Sequence, residues 1–193
     1  EPTNLGYGHA KQMGEWLCRF AQTDHGRIRP LVIRPSNMYG REDHQDQHGH
    51  VIPRLVKRLM DHEDPMAIRG PATTRRAFLH ARDCAKAAAV LAATDHVGTI
   101  NVGPYDDISI DGLLEKLAKI IGFRPREITW GTSGEQGYVK RMSDLTTLES
   151  IIFAAGLEPW HDQITGFEDG LYEYVEWCRG GQGQAVRRAA YRD

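Results

Sequence analysis

The chain has 193 residues, 40% hydrophobic and 26% charged, with a net charge of −2. That length suffices for one domain with a real core, or one domain with a small appendage, and the composition is ordinary for a soluble protein. The near-neutral balance gives no reason to expect nucleic acid or an anionic membrane as partner, and no apolar run is long enough to span a bilayer.

Residues 7 to about 25 read as a helix, because Met13, Trp16, Leu17, Phe20 and Ala21 recur at three and four. Thr3 or Asn4 is the expected cap and Gly26 the stop. "IRPLVIRP" (28–35) reads as one buried strand, and "SNMYGREDHQDQHGH" (36–50) as a polar loop. A helix follows from about Val51 to Asp61, with Ile52, Leu55, Val56, Leu59 and Met60 inward. "MAIRG" and "RAFLH" are short strands around a turn at "PATT". The Ala-rich 81–95 is a helix and "GTINVG" (98–103) a strand. Residues 109–123 form an amphipathic helix, capped by Ser109 and stopped by Gly122. "EITW" (127–130) reads as a strand, with helices near 145–155 and 165–178 and a loose tail from 180. Strands alternating with helices argue α/β.

Three cysteines (Cys18, Cys84, Cys178) are odd in number and widely spaced, so a reducing, cytoplasmic setting is expected. No charged-then-apolar leader opens the chain. It begins at Glu1 in what reads as a helix already in mid-fold, as in the later part of a longer protein.

"YGHAK" (7–11) puts Tyr7 and Lys11 four residues apart on one helix face. An ammonium beside a phenol favours the phenolate and makes it a usable acid/base near neutral pH. The spacing alone occurs by chance in many helices, and most such cases are surface pairs. "HQDQHGH" (44–50), with Asp43 just before it, gathers His44, His48, His50 and Asp46 into one loop. These side chains can ligate metal, but no helix fixes their spacing, so a polar substrate-side loop is the plainer reading and no metal is expected. His80 reads as structural at a strand end, Asp83 as capping or steadying the helix after it, and Trp130, Trp160 and Trp177 as core or interface. No GxSxG elbow is present, which sets Ser/His/Asp hydrolysis aside.

Five stretches in order change the weight of the Tyr/Lys pair: "EPTNLGYGHAKQMGEWLCRFA", "VIRPSNMYG", "HVIPRLVKRL", "RRAFLHARDCAKA" and "TINVG". Together they resemble the extended short-chain dehydrogenase/reductase superfamily, the NAD(P)-dependent nucleotide-sugar epimerases, dehydratases and reductases. "GHVIPRLVKRL", and more loosely 134–160, most resemble its GDP-L-fucose synthases, which are 3,5-epimerase-4-reductases of a GDP-4-keto-6-deoxymannose.

The resemblance implies the later part of a Rossmann-like domain over 1–103, with 41–75 contributing to a small α/β substrate-binding lobe, that lobe over 104–178, and a flexible tail over 179–193. It implies NADP(H), or NAD, as cofactor, a nucleotide-sugar substrate and a homodimer. Tyr7 would be the acid/base and Lys11 its activator, both also touching the cofactor. Pro35, Ser36, Asn37 and Met38 would line the nicotinamide side. His50 would be an acid in epimerisation, beside the cofactor. Arg58, Arg69, Arg76 and Arg141 would hold the sugar nucleotide, as planar guanidinium forks suit phosphate oxygens. Trp16 and Phe20 suit either a helical dimer interface or core burial.

Departures point elsewhere. Arg69 stands where the family often has Trp, and "PATT" replaces a more usual Gly-containing turn, so the pattern also admits a different nucleotide sugar. Gly6, Gly8 and Gly14 do not form GxGxxG and follow no strand, so the phosphate-binding turn and the catalytic Ser/Thr and Cys are expected upstream. Half an active site is expected here. The same residues are compatible with a 4-epimerase, with a 4,6-dehydratase, or with a non-catalytic binder of a sugar nucleotide or partner.

Overall fold

The computed structural model describes residues 5–26, 28–43, 49–131 and 142–180. In chain order these are α1 (Leu5–His25), β1 (Leu31–Pro35), β2 (Asn37–Tyr39), α2 (Val51–Met60), β3 (Met66–Ile68), β4 (Arg75–Arg76), β5 (Phe78–His80) and α3 (Ala81–Ala92). Then come β6 (Gly98–Val102), β7 (Ile108–Ser109), α4 (Ile110–Ile121), β8 (Ile128–Trp130), α5 (Thr146–Ala154), α6 (Trp160–Gln163) and α7 (Phe167–Cys178). The fold is α/β. The strands join as four pairs, β1–β6, β2–β5 and β3–β8 parallel and β4–β7 antiparallel. Parallel pairs need crossover connections, which the intervening helices supply.

Local chemistry explains the well-defined helix ends. The Ser109 hydroxyl accepts from the Gly112 amide at 3.0 Å, and Gly122 closes α4 in the left-handed region at φ 83°. Gly26, at φ 57°, ends α1. Of the two roles read for Asp83, capping falls to another residue and steadying α3 is the one that fits. His80 is the cap, its Nδ1 accepting from the Arg82 amide at 3.2 Å. Asp83 is instead buried and accepts from the Thr165 amide at 2.8 Å and hydroxyl at 3.1 Å, tying α3 to the segment before α7.

Two cores hold the chain. One gathers Ile52, Leu55, Val56 and Leu59 of α2, Leu113, Leu114 and Leu117 of α4, and Leu171, Tyr174 and Val175 of α7. The other gathers Leu91 of α3, Ile100 and Val102 of β6, Leu148 and Ile152 of α5, and Trp160. Residues 145–160 therefore pack with the β1–β6 layer rather than with α4. The Trp160 indole donates to the Gly103 carbonyl at 2.8 Å, while Trp130 and Trp177 are half-buried at the edge of the first core.

Several expectations fail. Of the two roles open to Trp16 and Phe20, core burial is the one that fails, since they, Met13 and Leu17 are all more than half exposed. The helical period of α1 is right, but the helix is held to β1 by a polar fork, Arg34 to Glu15 at 2.5 and 2.6 Å, and its apolar face stays open. The strand in "IRPLVIRP" starts only at Leu31 and is half-buried, because β6 pairs one edge and no described strand pairs the other. β2 lies in what reads as loop. Its backbone is recruited by β5 across a pairing that no local pattern encodes. β7 and α6 are too short for any period to register. The expected caps Thr3 and Asn4 and the tail from 181 lie outside the described residues. No described helix is long and apolar enough to cross a membrane.

Candidate functional site

β1 and β6 run parallel, so their carboxyl ends open on the same side, the side on which ligands of open α/β sheets bind. Pro35 ends β1 there. The Ser36 amide donates to the Val102 carbonyl at 2.8 Å, carrying the β1 chain past the end of β6. A Cβ on Gly103 would lie 2.2 Å from the Ser36 hydroxyl, so glycine is what allows this close approach. The Asn37 amide donates to the Ala77 carbonyl at 3.0 Å and locks β2 against the strand opposite.

A hollow of about 310 Å³ opens beyond this point. Asn37, Met38, His50, Arg69 and Arg76 all line it, over a floor that includes Ile52 and Ile110. Five residues from four separate stretches thus converge. Arg69 follows β3, and Arg76 lies on β4, where Arg75 holds the ladder by pairing with Asp107 at 2.8 Å. His50 precedes α2, its ring largely exposed, with Nδ1 3.0 and 3.1 Å from the two oxygens of Asp43. Two guanidinium groups, an amide and an imidazole around one hollow suit an anionic ligand and proton transfer beside it.

Other expected site residues sit apart. Arg58 lines no part of the hollow; its fork grips Glu63 at 2.5 and 2.7 Å and the Ala67 carbonyl at 2.8 Å. Tyr7 and Lys11 lie on the exposed side of α1, with the ammonium 5.4 Å from the Tyr7 ring centroid. Gly6, Gly8 and Gly14 are all within α1, so they build no phosphate turn. Arg141, His44, Asp46 and His48 lie outside the described residues.

Sequence reasoning missed two features. Asp43 entered only as a metal ligand, although it touches His50. A second, larger cleft of about 1060 Å³ lies between the cores, lined by Phe78, His80, Asp83, Tyr105 and Phe167 among others, with Arg76 shared by both spaces. Burial pushes the His80 imidazole below its usual range, which suits its role as a neutral acceptor at the α3 cap.

Residues 1–103 match the family model described as the NAD dependent epimerase/dehydratase family. The chain belongs to this family. It is 29% identical over 192 residues to GDP-L-fucose synthase of Escherichia coli, covering 92% of this chain and 57% of that protein. It is also 29% identical over 178 residues to a dTDP-4-dehydro-6-deoxy-D-allose reductase of Streptomyces bikiniensis, covering 92% and 51%. Among solved structures it resembles a UDP-glucose 4-epimerase of Thermotoga maritima bound to UDP-glucose. The TM-score is 0.79 at 22% identity, over 91% of this chain and 54% of that one, a likeness of fold. The chain spans about half the length of the relatives it matches.

Proposed function

We propose that this chain supplies the YxxxK helix and the substrate-side hollow of an NADP(H)-dependent nucleotide-sugar epimerase/reductase, of the GDP-4-keto-6-deoxymannose 3,5-epimerase-4-reductase type. The observation that carries the reading is the convergence of Asn37, Met38, His50, Arg69 and Arg76 on one hollow beside the carboxyl ends of β1 and β6. Family membership and the GDP-L-fucose synthase relatives support the same chemistry.

In this reading Arg76 and Arg69 hold the diphosphate and its sugar. Arg58, already committed to Glu63, and Arg141 are further candidates for the same task. Tyr7 gives its phenolic proton to the C4 oxygen, and Lys11 stands beside it to favour the transfer. His50 moves protons at the carbons that epimerise. The nicotinamide cofactor, NADP(H) or NAD, supplies hydride to C4 when bound. Pro35–Met38 fit its nicotinamide side, because this segment leaves the strand end with Met38 exposed and Ser36 tucked under Gly103. The open apolar face of α1, with Trp16 and Phe20, supports a homodimer.

The test is loss of NADPH absorbance when the native protein meets GDP-4-keto-6-deoxymannose. Tyr7→Phe should lower turnover by about 10²–10⁴-fold while nucleotide-sugar binding persists. Sugar-nucleotide binding without any NADP(H) binding would instead make the protein a non-catalytic binder. Arg69, where the family often has Trp, favours a second reading in which the same reduction acts on a sugar carried by another nucleotide. Turnover with a dTDP-linked 4-keto-6-deoxy sugar but not the GDP-linked one would select it.

A further inference from the structure

We infer that Asp43 is the positioning residue of His50: it fixes the tautomer and orientation of the imidazole, leaving Nε2 as the ring's working atom. The inference rests on the reading of His50 as a proton-transfer group, and adds to it a residue that never touches substrate.

A carboxylate can only accept, so the ring nitrogen facing it must carry a proton. Both Asp43 oxygens face the same nitrogen, Nδ1, at 3.0 and 3.1 Å. In the neutral ring the proton is then on Nδ1 and the lone pair on Nε2. Nε2 takes a proton as base or returns it as acid, and Nδ1 stays anchored through both.

The two partners are unequally exposed. The Asp43 side chain is 14% exposed and that of His50 75%. The anchor is on the inside and the ring on the outside, at the hollow that His50 lines together with the charged Arg69 and Arg76. With the His50 ring largely exposed, the contact adds little to stability, and it is better explained by what it does to the ring than by what it does for the fold.

The turn that carries Asp43 is itself held. Gly40 packs on α3, where an added Cβ would come within 3.2 Å of the Ala81 Cβ. Arg41 pairs with Glu173 of α7 at 2.7 Å. Glu42 takes a left-handed backbone at φ 65°, which is costly for a residue with a Cβ and is kept only where surroundings impose it. The Asp43 amide then closes the turn on the Gly40 carbonyl at 3.4 Å.

The experiment is a long-range proton–nitrogen correlation on protein labelled at its nine histidines, recorded where imidazole is neutral. His50→Gln identifies the His50 signals. The expected result is an Nδ1–H tautomer for His50 in the wild type, lost or mixed with Nε2–H in Asp43→Ala, with Asp43→Glu restoring it. An Nε2–H tautomer in the wild type, or one unmoved by Asp43→Ala, overturns the inference. Should Asp43→Ala fail to fold, Asp43→Asn serves in the same measurement. In the native enzyme Asp43→Ala should slow solvent deuterium exchange at the epimerised carbons on the order of tenfold, with KM little changed and Tyr7-dependent reduction kept. If the tautomer shifts as stated but His50→Gln leaves that exchange intact, the ring is positioned by Asp43 and the catalytic reading of His50 is what fails.

Discussion

Replacing Asp83 by alanine tests how the two cores are joined. The side chain is fully buried and holds Thr165 twice, at the amide and at the hydroxyl, with Lys86 the nearest cation at 3.6 Å. A hydrogen bond to a charged acceptor contributes about 1.5–3 kcal/mol. The Thr165 hydroxyl can turn to water, since its residue is half-buried, so the orphaned amide carries most of the loss. Relief of the buried carboxylate's desolvation returns part of it. The expected net destabilisation is about 2–4 kcal/mol, read from urea unfolding at neutral pH. Thr165→Val, which keeps the amide bond, should cost about 1 kcal/mol. The two substitutions touch one another, so their effects should be clearly less than additive. Hydrogen exchange at the Thr165 amide should lose its protection in Asp83→Ala. A loss below about 1 kcal/mol, with that amide still protected, would refute Asp83 as the joint between α3 and the segment before α7.

Three further outcomes are expected. Burial alone would raise the Glu173 carboxyl, but hydrogen bonds and charge from Arg41 and Arg82 outweigh it and hold the group below the usual carboxylate range. Its contribution is therefore present above pH about 4.5 and lost as pH falls through the lower folded value, so the stability gap between wild type and Glu173→Gln should shrink on acidification. Gly103→Ala would drive a Cβ to 2.2 Å from the Ser36 hydroxyl and should cost about 1–3 kcal/mol in urea unfolding. Ser36→Ala should recover part of that cost, not all, because the Ser36 Cβ is still 3.2 Å from the added atom. Trp16→Glu should convert a dimer to monomer in sedimentation; a dimer that persists would remove α1 from the interface.

Helices were legible wherever period and caps agreed. The stretch from Ser109 to Gly122 carries both, and α4 begins and ends there. Pairs of two or three residues such as β4–β7 carry no period and exist only through their partners. The apolar stripe of α1 has the right spacing, but spacing says which face is apolar, not what covers it. The site follows the same division. Asn37, Met38, His50, Arg69 and Arg76 could be named because whole stretches resemble a family. Asp43 could not be given its role, because that depends on the left-handed turn at Glu42 bringing it onto a residue seven positions later.

The hollow lies where the two cores share a strand. Phe78 of β5 packs in the first core and Leu79, its neighbour, in the second, since successive side chains on a strand point to opposite faces. β2, which carries Asn37 and Met38, is paired to that same strand. The end of β5 is fixed in turn by His80 as the α3 cap, and the α3 start by Asp83 on Thr165. Asn37 is thereby referenced to one strand buried on both faces and Arg76 stands two residues before it, while His50 caps α2, whose apolar face builds the first core, and Asp43 sits in a turn pinned by Glu173. A change in the packing of α2 should then carry the His50 backbone with it and separate it from Asn37 and Arg76. In an enzyme of the proposed kind, that separation would impair substrate positioning before it unfolds the chain.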